Sequence, residues 1–233
     1  VRFLLKQKIA NVMRKVTAVL AGNDYLAGYA RSSGAENVFQ LPTVIDIEKY
    51  DATPKRQNKK FTIGWIGSST TTEHLKSIDS VLRDFCPEKD VQLLLIGAKD
   101  ANWLGADIEN IPWAEESEVE DISQMDVGIM PLPDSPWERG KCGFKLIQYM
   151  ACGLPVIASP IGANTEIVEH GVNGFLASNE KDWREAFDTL RNDFSLRCKM
   201  GMAGRAKVET TYSLQVTAPV LSKIFRDVVK EGH

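Results

Sequence analysis

From residue 61 onward the chain alternates short apolar runs with amphipathic stretches. Apolar runs at 61–66, 91–96, 127–131, 156–159 and 174–176, with a shorter segment at 109–111, predict strands. Apolar positions at helical spacing between them predict helices over 72–85, 116–124, 144–152, 164–170 and 180–192. Strands that are apolar on both faces and separated by helices predict an α/β fold with a doubly wound parallel sheet. Residues 195–229 read as two more helices, a helical tail. Upstream, 17–21 and 38–41 read as strands around a helix at 24–31. Residues 50–60 are polar and basic, contain Pro54 and lack apolar periodicity, so a linker and domain boundary are expected there. The first sixteen residues carry Arg2, Lys6, Lys8, Arg14 and Lys15 and no acid, with Leu5, Ile9, Val12 and Val16 at helical spacing. That is a basic amphipathic helix. It suits an anionic membrane surface, but its shortness and lack of a Trp favour a surface helix whose partner has been truncated away.

Composition narrows the function. Apolar residues make up 43% and charged residues 25% of 233, as in ordinary globular proteins. A net charge of −3 argues against general nucleic-acid binding. No apolar run is long enough to span a bilayer, and no signal peptide is visible. Cys86, Cys142, Cys152 and Cys198 form no CxxC pair, and His74, His170 and His233 do not complete a metal site, so no metal is expected. A reduced, cytoplasmic chain is the expectation. The ends, Val1 rather than Met and Glu-Gly-His, suggest a fragment of a longer protein.

Four loops at predicted strand ends carry anion-binding chemistry. The most informative is the run from Lys141 through Pro160, in which Lys141 and Lys145 stand at the start of an amphipathic helix. A helix N-terminus already offers unpaired N–H groups and partial positive charge, so two lysines there make a pocket for a diphosphate. A lysine in a first turn opposes the helix dipole, and that local conflict points to function. The preceding stretch from Pro131 to Gly140, with Glu138, reads as a rigid charged loop. A second loop, Gly67-Ser68-Ser69, lets backbone approach a phosphate closely and offers hydroxyl donors. Its plainer reading is an N-cap cluster, with Thr72 capping and Glu73 just inside the helix. A third places Trp113 at a strand end, where a nucleobase could rest on backbone groups, although the indole itself is expected in the core. The fourth, Gly162-Ala163-Asn164 leading to Glu166, aims another helix N-terminus at the same crevice. Walker and GxGxxG loops are absent, which disfavours NAD.

The stretches Lys145–Ser159, Gly162–Val168 and Gly171–Leu176 resemble the nucleotide-sugar half of group 1 retaining glycosyltransferases, family 4, of GT-B fold. The resemblance implies two facing Rossmann-like domains. Here residues 1–58 would be the end of the N-terminal acceptor domain with its linker, and 59–210 the donor domain. Residues 211–233 would be a helix crossing back to the N-terminal domain. The implied activity is hexose transfer from a UDP- or GDP-linked sugar, with retention and no cofactor, to a glycan or lipid-linked acceptor. Polysaccharide biosynthesis and peripheral contact with the inner membrane face fit that activity. By position, Gly67 and Ser68 would touch the diphosphate, Lys145 would neutralise it on departure, and Trp113 would mark the base. Glu166 would face sugar and phosphates. The family's E-x7-E pattern departs here. Its second glutamate, which binds ribose, falls at Gln148, and its first at Gly140; either the loop shifts Glu138, two residues earlier, into that catalytic place, or the sugar is handled differently. Lys141 could compensate for family cations missing after Gly67. Two alternatives remain: a sugar-nucleotide epimerase of the same fold, with Glu138 and Glu166 as acid and base, and a non-catalytic nucleotide-sugar binder.

Overall fold

The computed structural model of the chain describes residues 7–50, 58–98 and 108–231. Arg2, Leu5 and Lys6 of the predicted first helix, 51–57 of the predicted linker, and His233 lie outside the described residues. The chain opens with α1 (Lys8–Lys15), β1 (Val19–Ala21), α2 (Asp24–Ser32), β2 (Val38–Gln40) and a 3-10 turn at Ile47–Lys49. Then come β3 (Phe61–Ile66), a 3-10 stretch (Thr72–Ile78), α3 (Asp79–Phe85), β4 (Val91–Ile96), β5 (Ile108–Ile111), α4 (Glu118–Ser123) and β6 (Val127–Met130). The third run is α5 (Pro136–Arg139), α6 (Phe144–Ala151), β7 (Val156–Ala158), α7 (Asn164–Ile167) and β8 (Gly174–Leu176). Three longer helices close the chain: α8 (Glu180–Asn192), α9 (Phe194–Thr211) and α10 (Leu214–Glu231).

Strands β3 to β8 form one parallel sheet in the order β5-β4-β3-β6-β7-β8. The order reverses between β3 and β6, so the crevice beyond their carboxyl ends is where such a sheet holds a ligand. Every residue of β3, β6 and β7 is buried, which is why these strands read as unbroken apolar runs. One core, containing Leu146, Ile147, Met150 and Val208, covers one side. The other holds Leu75, Leu82, Phe85, Trp183 and Phe187. This is the Rossmann-like α/β architecture with a helical tail. A separate two-stranded parallel sheet, β1 with β2, sits beside it.

Two glycines let side chains lie directly on the sheet backbone. Gly64 and Gly128 face each other across β3 and β6. A Cβ on Gly128 would come within 2.2 Å of the Tyr149 ring, and one on Gly64 within 1.9 Å of Met125 Sδ. The bare backbone therefore makes a floor on which Tyr149 lies. Its buried hydroxyl accepts from Ile66 N at 2.9 Å and donates to Ile129 O at 3.4 Å. The bonds tie α6 to the ends of both strands flanking the crevice.

Three predicted elements differ. The helix over 72–85 is a 3-10 stretch followed by a short α-helix, and Thr72 is not its cap. The flanking Thr71 makes no capping bond, and its hydroxyl donates back to Ser68 O at 3.0 Å. These hydroxyls close the turn instead of starting a helix. The helix over 164–170 ends at Ile167, because Asn173 donates to Ile167 O at 3.1 Å and accepts from Glu169 N at 2.9 Å. Within the charged loop lies a one-turn helix, α5. Ser135 caps it by accepting from Trp137 N at 3.2 Å, Pro136 stands in the first turn, and the Ser135 hydroxyl donates to Glu138. The Ser-Pro-x-Glu spacing was its visible signal.

Candidate functional site

The crevice is built around the first turn of α6. Gly143 precedes it in the left-handed region, at φ +66, and makes no side-chain cap. A Cβ there would also strike Ile167 Cδ1 at 2.2 Å. Lys145 in that turn lays its ammonium 4.2 Å above the Trp65 ring, and 2.2 Å from where a Cβ on Gly67 would stand. Gly67 is therefore a requirement of the lysine's position. Among the described residues no carboxylate lies within ion-pair distance of Lys145. Burial, with repulsion from Lys141, lowers its pKa to about 7.

Lys141 stands in a linked cluster. His74 Nε2 lies 3.3 Å from Glu138 Oε1 and 3.5 Å from Lys141 Nζ. Glu138 is buried, and the Ser135 hydroxyl, with Lys141 and His74, holds its carboxyl below the usual carboxylate range. Burial and the Lys141 charge lower His74, against the pull of Glu138. Burial likewise lowers Lys141. Asn23, just before α2, donates to Arg139 O at 3.3 Å and Lys141 O at 2.9 Å. The small sheet thereby grips the lysine loop from the other side.

A second group closes the far end. Gly97 ends β4 at φ +71, and its Cβ would lie 2.5 Å from Gly67 O and 3.1 Å from Trp113 Cβ. Trp113 is not a core residue: it is 52% exposed, and its Nε1 donates to Glu118 Oε2 at 2.7 Å. The other oxygen, Glu118 Oε1, accepts from Tyr50 OH at 3.0 Å and Gln148 Nε2 at 2.7 Å. Burial, with Glu118 nearby, raises the Tyr50 phenol. Gln148 is buried and stands one turn past Lys145 on the same face of α6.

The structure thus draws Gly67, Lys141, Lys145 and Glu138 together at one end, and Trp113 and Gln148 at the other. Ser68 and Ser69 are exposed, and the Ser68 hydroxyl bonds within its own turn to Thr70 at 3.0 Å. The fourth loop backs the site. A Cβ on Gly162 would meet Arg139 O at 2.6 Å, Ala163 is buried, and Asn164 donates to Ser159 O at 2.9 Å. Glu166 turns to the small sheet, where Gln40 donates to it at 3.4 Å. Burial and Asp24 raise its pKa. Sequence reasoning missed His74, Trp65, Gly97, Glu118 and Tyr50. Only Gly97 had a signal, the Ile-Gly ending that β4 shares with β3.

Among the described residues no group of three or more His, Cys, Asp or Glu comes together as a metal would require, and no helix is long and apolar enough to cross a membrane.

Comparison with known proteins gives a consistent picture. The family model described as glycosyl transferases group 1 matches residues 60–193, more than half of the chain. A capsular polysaccharide biosynthesis glycosyltransferase, CapM, of Staphylococcus aureus is 27% identical over 98% of this chain and 61% of its own length. A GDP-mannose-dependent monoacylated phosphatidylinositol monomannoside mannosyltransferase of Corynebacterium glutamicum is 24% identical over 95% of this chain and 65% of its own. Sucrose-phosphate synthase of Thermosynechococcus elongatus superposes with a TM-score of 0.82 at 17% identity, over 96% of this chain and 61% of that one. Anabaena HepE, solved with UDP-glucose, gives 0.76 at 18% identity, over 97% and 70%. The chain therefore spans under two thirds of the length of the two curated relatives.

Proposed function

The chain belongs to the group 1 glycosyl transferases, and from that premise we propose that it binds the donor for transfer of a hexose from a UDP- or GDP-linked sugar. The acceptor is a glycan or lipid-linked sugar, and the anomeric configuration is retained. One observation carries the reading: the Lys145 ammonium lies against Gly67 over Trp65, in the first turn of α6 and beside Lys141. An ammonium without a carboxylate partner among the described residues, at a helix start in a crevice, suits a diphosphate. When the sugar leaves, new negative charge develops on the diphosphate, and a preplaced cation with helix N–H groups lowers that barrier. Glu138, engaged by His74 and Ser135, acts here by keeping Lys141 in place.

In this reading residues 1–58 end an acceptor domain, 59–210 hold the donor, and 211–233 cross back, so the chain alone turns over poorly. The names of CapM and of the phosphatidylinositol monomannoside mannosyltransferase support a glycan or lipid-linked acceptor. HepE with bound UDP-glucose supports the donor class.

The test is calorimetric titration with UDP, GDP and their sugars, repeated on Lys145→Ala. Binding of one nucleotide, weakened at least tenfold (about 1.4 kcal/mol) in the variant, is expected. Equal binding by both proteins would remove Lys145 from the diphosphate site, and no binding by either would remove the donor reading.

A further inference from the structure

The position at which the family resemblance expects a ribose-binding glutamate holds Gln148, which is buried and has committed its Nε2 to Glu118 at 2.7 Å. We propose that Glu118, delivered from α4, supplies the carboxylate that receives the ribose diol of the nucleotide, and that Gln148 positions it.

A carboxylate offers about four lone-pair sites. Among the described residues Glu118 Oε1 fills two, with Tyr50 OH and Gln148 Nε2, whereas Oε2 receives one bond, from Trp113 Nε1. The three donors come from three separate segments, so the carboxylate is held from several sides and keeps acceptor capacity on the oxygen nearer Trp113. Trp113 is half-exposed, which places that oxygen at the mouth of the crevice.

Spacing supports the assignment. Gln148 and Lys145 are one turn apart on the same face of α6, roughly 5–6 Å between their Cβ atoms, and Glu118 is bonded to the Gln148 amide, so the carboxylate and the ammonium serve neighbouring parts of one ligand. In a nucleoside diphosphate the ribose is bonded directly to the diphosphate, which fits that arrangement. Between the two ends, Gly67 and Gly97 leave bare backbone beside Trp113. Charge explains why residue 148 is neutral. A glutamate there would press a second carboxylate against Glu118 at hydrogen-bond distance, and one of the two would have to take up a proton. Glu118 and Gln148 form a complementary pair in which the charge has moved from α6 to α4.

The inference rests on the donor reading above, and its test separates the two. The whole chain, and its Glu118→Gln, Glu118→Gln/Gln148→Glu and Lys145→Ala variants, are titrated with UDP and 2′-deoxy-UDP, and with GDP and 2′-deoxy-GDP. The preference for ribo over deoxy is a ratio taken on one protein sample, so partial misfolding of a variant cancels. The expected result is a preference of roughly tenfold in the unaltered chain, below about threefold in Glu118→Gln, and recovered in the double variant. Lys145→Ala should weaken both ligands and keep the preference. A preference that survives Glu118→Gln, or none in the unaltered chain, overturns the role of Glu118 while leaving the donor reading standing. Failure of every nucleotide to bind the unaltered chain overturns both.

Discussion

If Lys145 receives the diphosphate, binding must be linked to proton uptake. In the free protein burial and Lys141 hold its pKa at about 7. A bound diphosphate favours the ammonium, so the bound-state value is higher than the free one. Affinity is then full below pH 7 and falls as pH rises, until it reaches the bound-state pKa. The fraction of free protein carrying the charge drops from about 0.9 at pH 6 to about 0.1 at pH 8, which is close to tenfold or about 1.4 kcal/mol. Above pH 8 each unit should cost about another factor of ten. The ligand to use is an intact nucleotide sugar, UDP-glucose or GDP-mannose. A free nucleoside diphosphate has a terminal phosphate ionising near pH 6, which would add its own slope. Titrations in two buffers of different ionisation enthalpy count the protons, and about one per binding event is expected at pH 8. His74, Lys141 and Glu138 face the same crevice, so Lys145→Arg is the control. Its guanidinium stays charged throughout, and its affinity should be nearly flat from pH 6 to 9. A flat profile in the unaltered chain, or a slope that persists in Lys145→Arg, would refute the assignment.

Two further predictions test the scaffold. Gly128→Ala places a Cβ 2.2 Å from the Tyr149 ring and should cost about 1–3 kcal/mol of stability by overpacking. Thermal or urea unfolding checks it, with an unchanged midpoint as the contrary result. Asn23→Ala removes the α2 cap to Leu26 N together with the bonds to Arg139 O and Lys141 O. It should lower stability by about 1 kcal/mol and weaken nucleotide binding severalfold in calorimetry, whereas Ser33→Ala, at the other end of α2, should leave binding unchanged.

Most of the sheet was legible because β3, β6 and β7 are buried on both faces and have no polar residue to disguise them beyond Thr62. The lysine end was legible because Lys141 and Lys145 are close in sequence and conflict with the dipole of their own helix. At the other end the family resemblance named Trp113 and Gln148, but not what joins them. Tyr50, Glu118 and Gln148 come from a loop, α4 and α6, and nothing in their spacing says that they meet. The exposure of Trp113 was equally hidden, since a tryptophan after an apolar strand reads as core. Its position follows from the bond to Glu118 and the neighbouring Gly97. Helix boundaries failed where side chains competed for backbone groups, at Thr71 and Asn173.

The floor under Tyr149 also limits how this protein can change by mutation. Gly128 is tied to Tyr149, and its neighbour Gly64 to Met125, because neither glycine can gain a side chain without displacing what lies on the sheet. Trimming the tyrosine to phenylalanine does not relax the limit, since the conflict at Gly128 is with ring carbons and not the hydroxyl. Replacing the ring by something smaller frees Gly128 but strands Ile66 N, which the hydroxyl serves. Single substitutions at Gly128 or Tyr149 therefore each lose packing or a backbone hydrogen bond, and only a paired change could keep both.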